Sequence, residues 1–135
     1  MDDFVSFEIS KKLKLSGFRD GCIATYNCSG ELFYNKYDLM YSSDVPFVHS
    51  RNSLKFSGRW DSPTISQVLK WLREEKNIHI EIWWQTQYTA KNLNGFQFVV
   101  TPICENPQCE TDLELYCDYE TAALKGIEYV IDNLI

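Results

Sequence analysis

The residues best suited to chemistry in this sequence are its five cysteines. Four of them form two pairs: four residues separate Cys104 from Cys109, and five separate Cys22 from Cys28. Structural zinc sites typically place about two to four residues between paired ligands, so only the first spacing is typical of such sites. These four thiols are weak candidates for a metal site, and we expect neither a bound metal nor another cofactor.

A catalytic thiol needs a neighbouring group that favours the thiolate and so lowers the thiol pKa. The imidazoles of the sequence are His49 and His79, and either would have to reach a cysteine through the fold. Cys117 precedes Asp118, whose carboxylate does not favour a neighbouring thiolate. The six glycines are scattered and match no phosphate-binding loop. We therefore assign no catalytic residue, and a thiol- or zinc-dependent enzyme is kept as an alternative.

The elements that would position these residues follow from hydrophobic periodicity, which predicts one α+β domain over residues 1–135. Val5, Ile9 and Leu13 recur every four residues and predict a first helix that ends at Ser16-Gly17. Residues 22–26 and 31–34 are rich in strand-forming residues and flank a Gly-containing turn. They predict a first antiparallel hairpin.

The second half of the chain repeats this pattern of helix and hairpin. Apolar residues at positions 65, 68, 69 and 72 predict a second helix that ends at Lys76-Asn77. Residues 78–85 alternate with period two and should pair with residues 96–101. A short strand is expected at 113–116, and a last helix begins at Asp118. The predicted order is helix, hairpin, helix, hairpin, helix, with an antiparallel sheet and the helices mainly on one face.

Residues 35–59 are the least regular part of the sequence, because serines, Pro46 and Gly58 interrupt it repeatedly. We expect a surface loop followed by one short strand near residues 54–56. Loops of this length inside a compact domain are usually functional or disordered, or else contain structure that the sequence assignment has missed. Whether the loop covers the second hairpin decides how much of that hairpin is available for binding.

The second hairpin carries the least ordinary surface that the sequence predicts. Its alternation places Trp83, Val99, His79 and Gln97 on the face opposite the core. If the helices cover only one face, these residues form an exposed aromatic patch, which typically marks a partner or dimer contact. The residues expected to face the core are Ile78, Ile80, Ile82, Trp84, Phe96, Phe98 and Val100.

The charge distribution favours some partners over others. The net charge is −6, and residues 102–135 contain eight acidic residues and one lysine, Lys125. Nucleic-acid binders usually carry a basic stripe, so we do not expect a nucleic-acid partner from the sequence. No apolar stretch reaches the length of a transmembrane helix, and the amino terminus resembles no secretory signal. We expect a cytoplasmic protein without a membrane partner.

Two segments resemble a family of small bacterial proteins. Residues 62–74 with 78–82, and the Tyr-x-x-Tyr-Glu-x-Ala-x-x-x-Gly-Ile pattern from Tyr116, are similar to proteins of gut Bacteroidetes genomes and their phages or mobile elements. The resemblance implies a bacterial or phage setting and the same helix–strand order. It implies no activity and no catalytic residue, and it does not extend to the segment from Cys104 to Cys117.

These observations favour a small accessory or interaction module that contacts a protein partner, or a second copy of itself, through the aromatic sheet face. One alternative is an acidic phage accessory protein that mimics or displaces nucleic acid through residues 102–135. The mimic requires its eight acidic residues to lie on one face. The thiol- or zinc-dependent enzyme requires two or more cysteines within ligand distance of one another, beside a pocket.

Overall fold

The computed structural model describes residues 4–34, 59–87 and 93–135. The α+β class and the predicted order of helices and hairpins are confirmed. Over the described residues the order is α1 (Phe7–Leu15), β1 (Ala24–Asn27), β2 (Leu32–Tyr34), β3 (Arg59–Asp61), α2 (Ile65–Glu75), β4 (Ile78–Gln87), β5 (Leu93–Pro102) and α3 (Tyr119–Asn133).

The two predicted hairpins belong to two separate sheets. One sheet has three antiparallel strands in the order β2-β1-β3, and the other consists of β4 and β5. The chain divides into two compact units, Met1–Thr64 and Ile65–Ile135, and each unit contains one of the sheets. That residues 1–135 form a single domain stays a prediction.

In the first unit, the core forms around the predicted stripe of α1. Ile9 and Leu13 are buried, as expected from their spacing. Val5, which the spacing placed in the helix, is buried just before it, and its backbone N–H donates to the Pro63 carbonyl oxygen at 3.0 Å. The helix begins after Ser6, whose side-chain oxygen accepts a hydrogen bond from the Ile9 backbone N–H at 3.2 Å. It ends before Gly17, whose φ of 97° lies in the left-handed region that glycine adopts without a steric penalty.

The first hairpin turns as its sequence predicts, and it acquires a third strand. The Asn27 side-chain oxygen accepts hydrogen bonds from the backbone N–H groups of Ser29 and Glu31, each at 2.9 Å, which stabilises the turn. β3 pairs antiparallel with β1, with Trp60 opposite Tyr26. The strand expected near residues 54–56 lies outside the described residues.

In the second unit, α2 and α3 contact each other, and both pack against the β4–β5 sheet. Gly126 of α3 lies against this sheet: a Cβ atom there would be 3.1 Å from the Ile80 Cγ2 and 3.1 Å from the Phe98 Cβ. Ile78, Ile80, Phe98 and Val100 are buried on this face. The helices therefore cover the predicted inner face of the second hairpin.

The segment between β5 and α3 runs back along the outer edge of β5. Glu110 forms an isolated antiparallel bridge with Val100, and Tyr116 forms one with Phe96. The prediction of a strand at residues 113–116 is wrong, because only the last of these residues, Tyr116, forms a β-bridge. Leu113 has a φ of 64°, which interrupts an extended conformation, and the side chains of Thr111 and Asp112 accept backbone hydrogen bonds within this bend.

Candidate protein-interaction surface

The face of the β4–β5 sheet that points away from α2 and α3 is called the outer face below. Continuous antiparallel pairing fixes its residues: Trp83 lies opposite Gln97, Glu81 opposite Val99, and His79 opposite Thr101. Opposite residues in such a pair have Cβ atoms roughly 5 Å apart, so these side chains adjoin one another. The sheet therefore places all four predicted interface residues on one surface.

The exposure of the outer face varies along β4. Trp83 has 48% of its surface exposed, whereas His79, Gln97 and Val99 are partly exposed. The alternative that the loop at residues 35–59 covers this face falls on residues 35–58, which lie outside the described residues. Its effect on the outer face stays a prediction.

Glu81 links the two aromatic rings of the outer face. Its Oε2 accepts a hydrogen bond from the Trp83 indole Nε1–H at 2.6 Å, and its Oε1 lies 3.3 Å from the His79 Nε2. These three residues occupy alternate positions of β4, so their side chains leave the strand on the same side. The only polar group of the indole is satisfied within its own strand, which leaves the apolar ring faces available for contact.

A second group of aromatic rings lies on the side of the β4–β5 sheet that the helices cover, at the start of α3. The Trp84 and Phe96 ring centroids are 5.0 Å apart, and the Phe96 and Tyr119 centroids are 6.1 Å apart, both in edge-to-face geometry. Trp84 is 58% exposed, so its predicted place in the core is wrong. The alternation predicts its side of the sheet correctly, but the first residue of α3, Tyr119, covers Phe96 and leaves Trp84 uncovered.

The sequence interpretation missed this second aromatic group. One signal was available: Tyr119 directly follows the N-cap residue Asp118, so it begins the helix that packs on the sheet. Asp118 accepts a hydrogen bond from the Thr121 backbone N–H at 2.6 Å. Hydrogen bonds from the Thr121 side chain and backbone hold the pKa of Asp118 below its ordinary value. This cap fixes where α3 starts and hence which aromatic residues remain at the surface.

The cysteines do not assemble into a ligand set in the described part of the chain. Within residues 4–34, 59–87 and 93–135, no group of three or more histidine, cysteine, aspartate or glutamate side chains is placed to hold a metal ion. Cys22 is buried, while Cys28, Cys104, Cys109 and Cys117 are exposed and not in disulfides. The candidate zinc residues Cys22, Cys28, Cys104 and Cys109 therefore gain no structural support.

The surroundings of each cysteine determine whether its thiol could act as a nucleophile. Burial, followed by the charges of Asp61 and Asp20, raises the pKa of the Cys22 thiol well above its ordinary value. Such a thiol stays protonated and is a poor nucleophile. The exposed Cys109 Sγ lies 3.4 Å from the Thr101 Oγ1, and Cys117 donates to the Asp118 carboxylate at 3.4 Å. His49 lies outside the described residues.

Some of the acidic residues in the segment 102–135 lie near the side chain of Tyr116. Burial, a hydrogen bond from the Tyr116 hydroxyl to Asp112, and the charges of Asp112, Glu114 and Glu128 raise the pKa of Tyr116. Three of the eight acidic residues thus lie near one side chain. The nucleic-acid mimic requires all eight on one face and stays a prediction.

Comparison with known proteins assigns the chain to no family. Neither the family models nor the curated proteins nor the solved structures contain a match to the chain. Among the described helices, none is both long enough and apolar enough to cross a membrane.

Proposed function

We propose that this protein is an interaction module that binds another protein molecule through the outer face of the β4–β5 sheet. The observation that supports this proposal is the half-exposed Trp83, whose indole N–H donates a hydrogen bond to Glu81. A partner that buries this ring removes apolar surface from water without leaving the N–H unsatisfied.

The neighbouring residues support the same function. Gln97 lies opposite Trp83, and Val99 lies opposite Glu81, on the neighbouring strand. The indole is therefore surrounded by both apolar and polar side chains. Interfaces commonly combine a buried aromatic residue with a polar rim. The surface is carried on a regular antiparallel pair, which holds its geometry before a partner arrives and so reduces the entropy lost on binding.

The proposal is tested by truncating Trp83. The immobilised protein is used to capture partners from a lysate of the cells that encode it, and the purified protein is measured by light scattering. We expect Trp83→Ala to weaken the interaction at least about tenfold, because truncation of a central tryptophan typically has this effect. Mass spectrometry of the captured proteins identifies the partner.

Phe33→Ala is the matched control. Phe33 is an aromatic strand residue with the same exposed fraction, 48%, but it belongs to β2 in the first unit. It should retain the interaction in full. Equal binding by wild type and Trp83→Ala would contradict the assignment of the outer face.

A further inference from the structure

The two edges of the β4–β5 sheet differ in how their backbone groups are used. The N–H groups of Phe96 and Val100 donate to the carbonyl oxygens of Tyr116 and Glu110 at 2.8 and 2.7 Å, so they point away from β4. Antiparallel pairing alternates these directions, and Trp84 and Ile80 are the partners of Phe96 and Val100. The backbone groups of Ile80, Ile82, Trp84 and Thr86 therefore point to the opposite edge, along β4.

No strand in the described part of the chain pairs with that edge of β4. The edge also lacks the features that normally prevent strand addition. Ile78–Gln87 contains no lysine, arginine or proline, and its pairing with β5 continues from Ile78 to Gln87 without a bulge. Its single carboxylate, Glu81, is already bonded to Trp83 and lies beside His79. An extended strand fits this edge.

We propose that β4 pairs antiparallel with β4 of a second copy of this chain, around a two-fold axis at Trp83, to form a continuous four-stranded sheet. This inference rests on the proposed function and names the partner. A symmetric dimer uses the same edge twice, so the groups that need partners on one copy are met by identical groups on the other.

The side chains favour this register over its neighbours. An axis at Trp83 places Trp84 opposite Ile82 of the second copy and Glu81 opposite Gln85 of the second copy. An axis at Glu81 would place two carboxylates opposite each other, which is destabilising. An axis at Ile82 would place Trp84 opposite Ile80, which is buried beneath α3 and presents little surface. An axis at Trp84 would place Trp83 opposite Gln85 of the second copy. The Trp83 register places both exposed tryptophans opposite apolar residues, Trp83 opposite Trp83 and Trp84 opposite Ile82.

The dimer is tested by light scattering over a range of protein concentrations. Thr86→Pro removes a backbone N–H that points to the edge, opposite Ile80 of the second copy, and leaves the β4–β5 bonds intact. We expect the dissociation constant to rise at least about tenfold, because two hydrogen bonds are lost per dimer. Thr86→Val is the matched control: it keeps the N–H and should dimerise as wild type.

The register is tested by cross-linking. In a background in which Cys28, Cys104, Cys109 and Cys117 are replaced by serine, Glu81→Cys is combined with Gln85→Cys. These positions would face each other across the axis as non-hydrogen-bonded pairs with Cα atoms about 4.5 Å apart, which permits a disulfide. Oxidised glutathione should yield a covalent dimer, and a reductant should cleave it back to the monomer. The Gln85→Cys variant by itself should not form a cross-link.

The possible failures are distinct. A wild type that is monomeric at every concentration would overturn the dimer, yet the proposed function would stand if Trp83→Ala abolished capture of a different protein. A dimer that survives Thr86→Pro and forms no cross-link would place self-association elsewhere and refute the β4 edge. Loss of the dimer in Thr86→Pro together with the covalent product would support the inference.

Discussion

Asp61 places a carboxyl group in the interior of the first unit, where charge is costly. The residue is buried at the end of β3, and burial raises its pKa to about 8, although the charge of Lys14 acts in the opposite direction. In the unfolded chain its pKa is near 3.8. Between these two values the folded protein holds a proton that the unfolded chain releases, so stability falls as pH rises from about 4 to about 8.

Asp61→Asn should remove this dependence, because the amide does not titrate. We expect the urea midpoint of wild type to fall relative to that of Asp61→Asn between pH 5 and pH 8.5, with circular dichroism as the measurement. Asp20→Asn, which replaces an exposed aspartate of the same unit, should follow wild type at every pH. Parallel curves for wild type and Asp61→Asn would refute the buried titration.

At the scale of elements, the sequence predicts what local contacts determine. The cap at Asp118 and the buried stripe Ile127, Val130 and Ile131 were predictable, because a helix reveals its start and its buried face within a few residues. The two faces of β4 were predictable for the same reason, since residues 78–85 alternate with period two.

Features that depend on distant residues were not predictable. β3 has three residues, which is too short for any periodicity, and it is recognised as a strand only through its pairing with β1. The exposure of Trp84 depends on where α3 begins relative to β5, which the pattern of β4 does not contain. The outer face was predicted residue by residue, but the link of Glu81 to Trp83 required side-chain geometry.

The packing of α3 on the sheet predicts the effect of a single methyl group at Gly126. Alanine there gains roughly 1 kcal/mol of helix propensity. Its Cβ would also press on the Ile80 Cγ2 and the Phe98 Cβ at 3.1 Å, in a core where overpacking costs about 1–3 kcal/mol. We expect Gly126→Ala to lower the free energy of unfolding by about 1 kcal/mol in urea titrations.

Lys125→Ala provides the comparison, because it changes the preceding, exposed residue of the same helix. Its effect should stay within about 0.5 kcal/mol, as is typical of surface positions. A Gly126→Ala protein more stable than wild type would show that the contact with the sheet is looser than described.

At the scale of the whole molecule, the five thiols report on folding. Four cysteines are exposed, whereas Cys22 is buried and burial raises its pKa. A thiol reagent should therefore modify four cysteines quickly in the native protein and the fifth only when the first unit unfolds, because the reactive form is the exposed thiolate. The absorbance of the chromophore that the reagent releases gives the number of modified cysteines.

Cys22→Ala identifies the slow thiol. This variant should show four fast thiols both in the native state and in denaturant, whereas wild type gains a fifth in denaturant. Five fast thiols in native wild type would mean that Cys22 is accessible.

Gly95 has a consequence for the size of any assembly built on β4. A Cβ atom at this position would lie 2.9 Å from the Leu115 Cβ and 2.9 Å from the Tyr116 carbonyl oxygen, so only glycine lets the segment before α3 close against β5. A sheet with two open edges adds copies without limit, as fibres do. Here the segment before α3 pairs with β5 at Phe96 and Val100 and so occupies part of that edge. In the proposed dimer, growth through the β4 edge would stop after a single addition, and Gly95 would thereby limit the assembly to two copies.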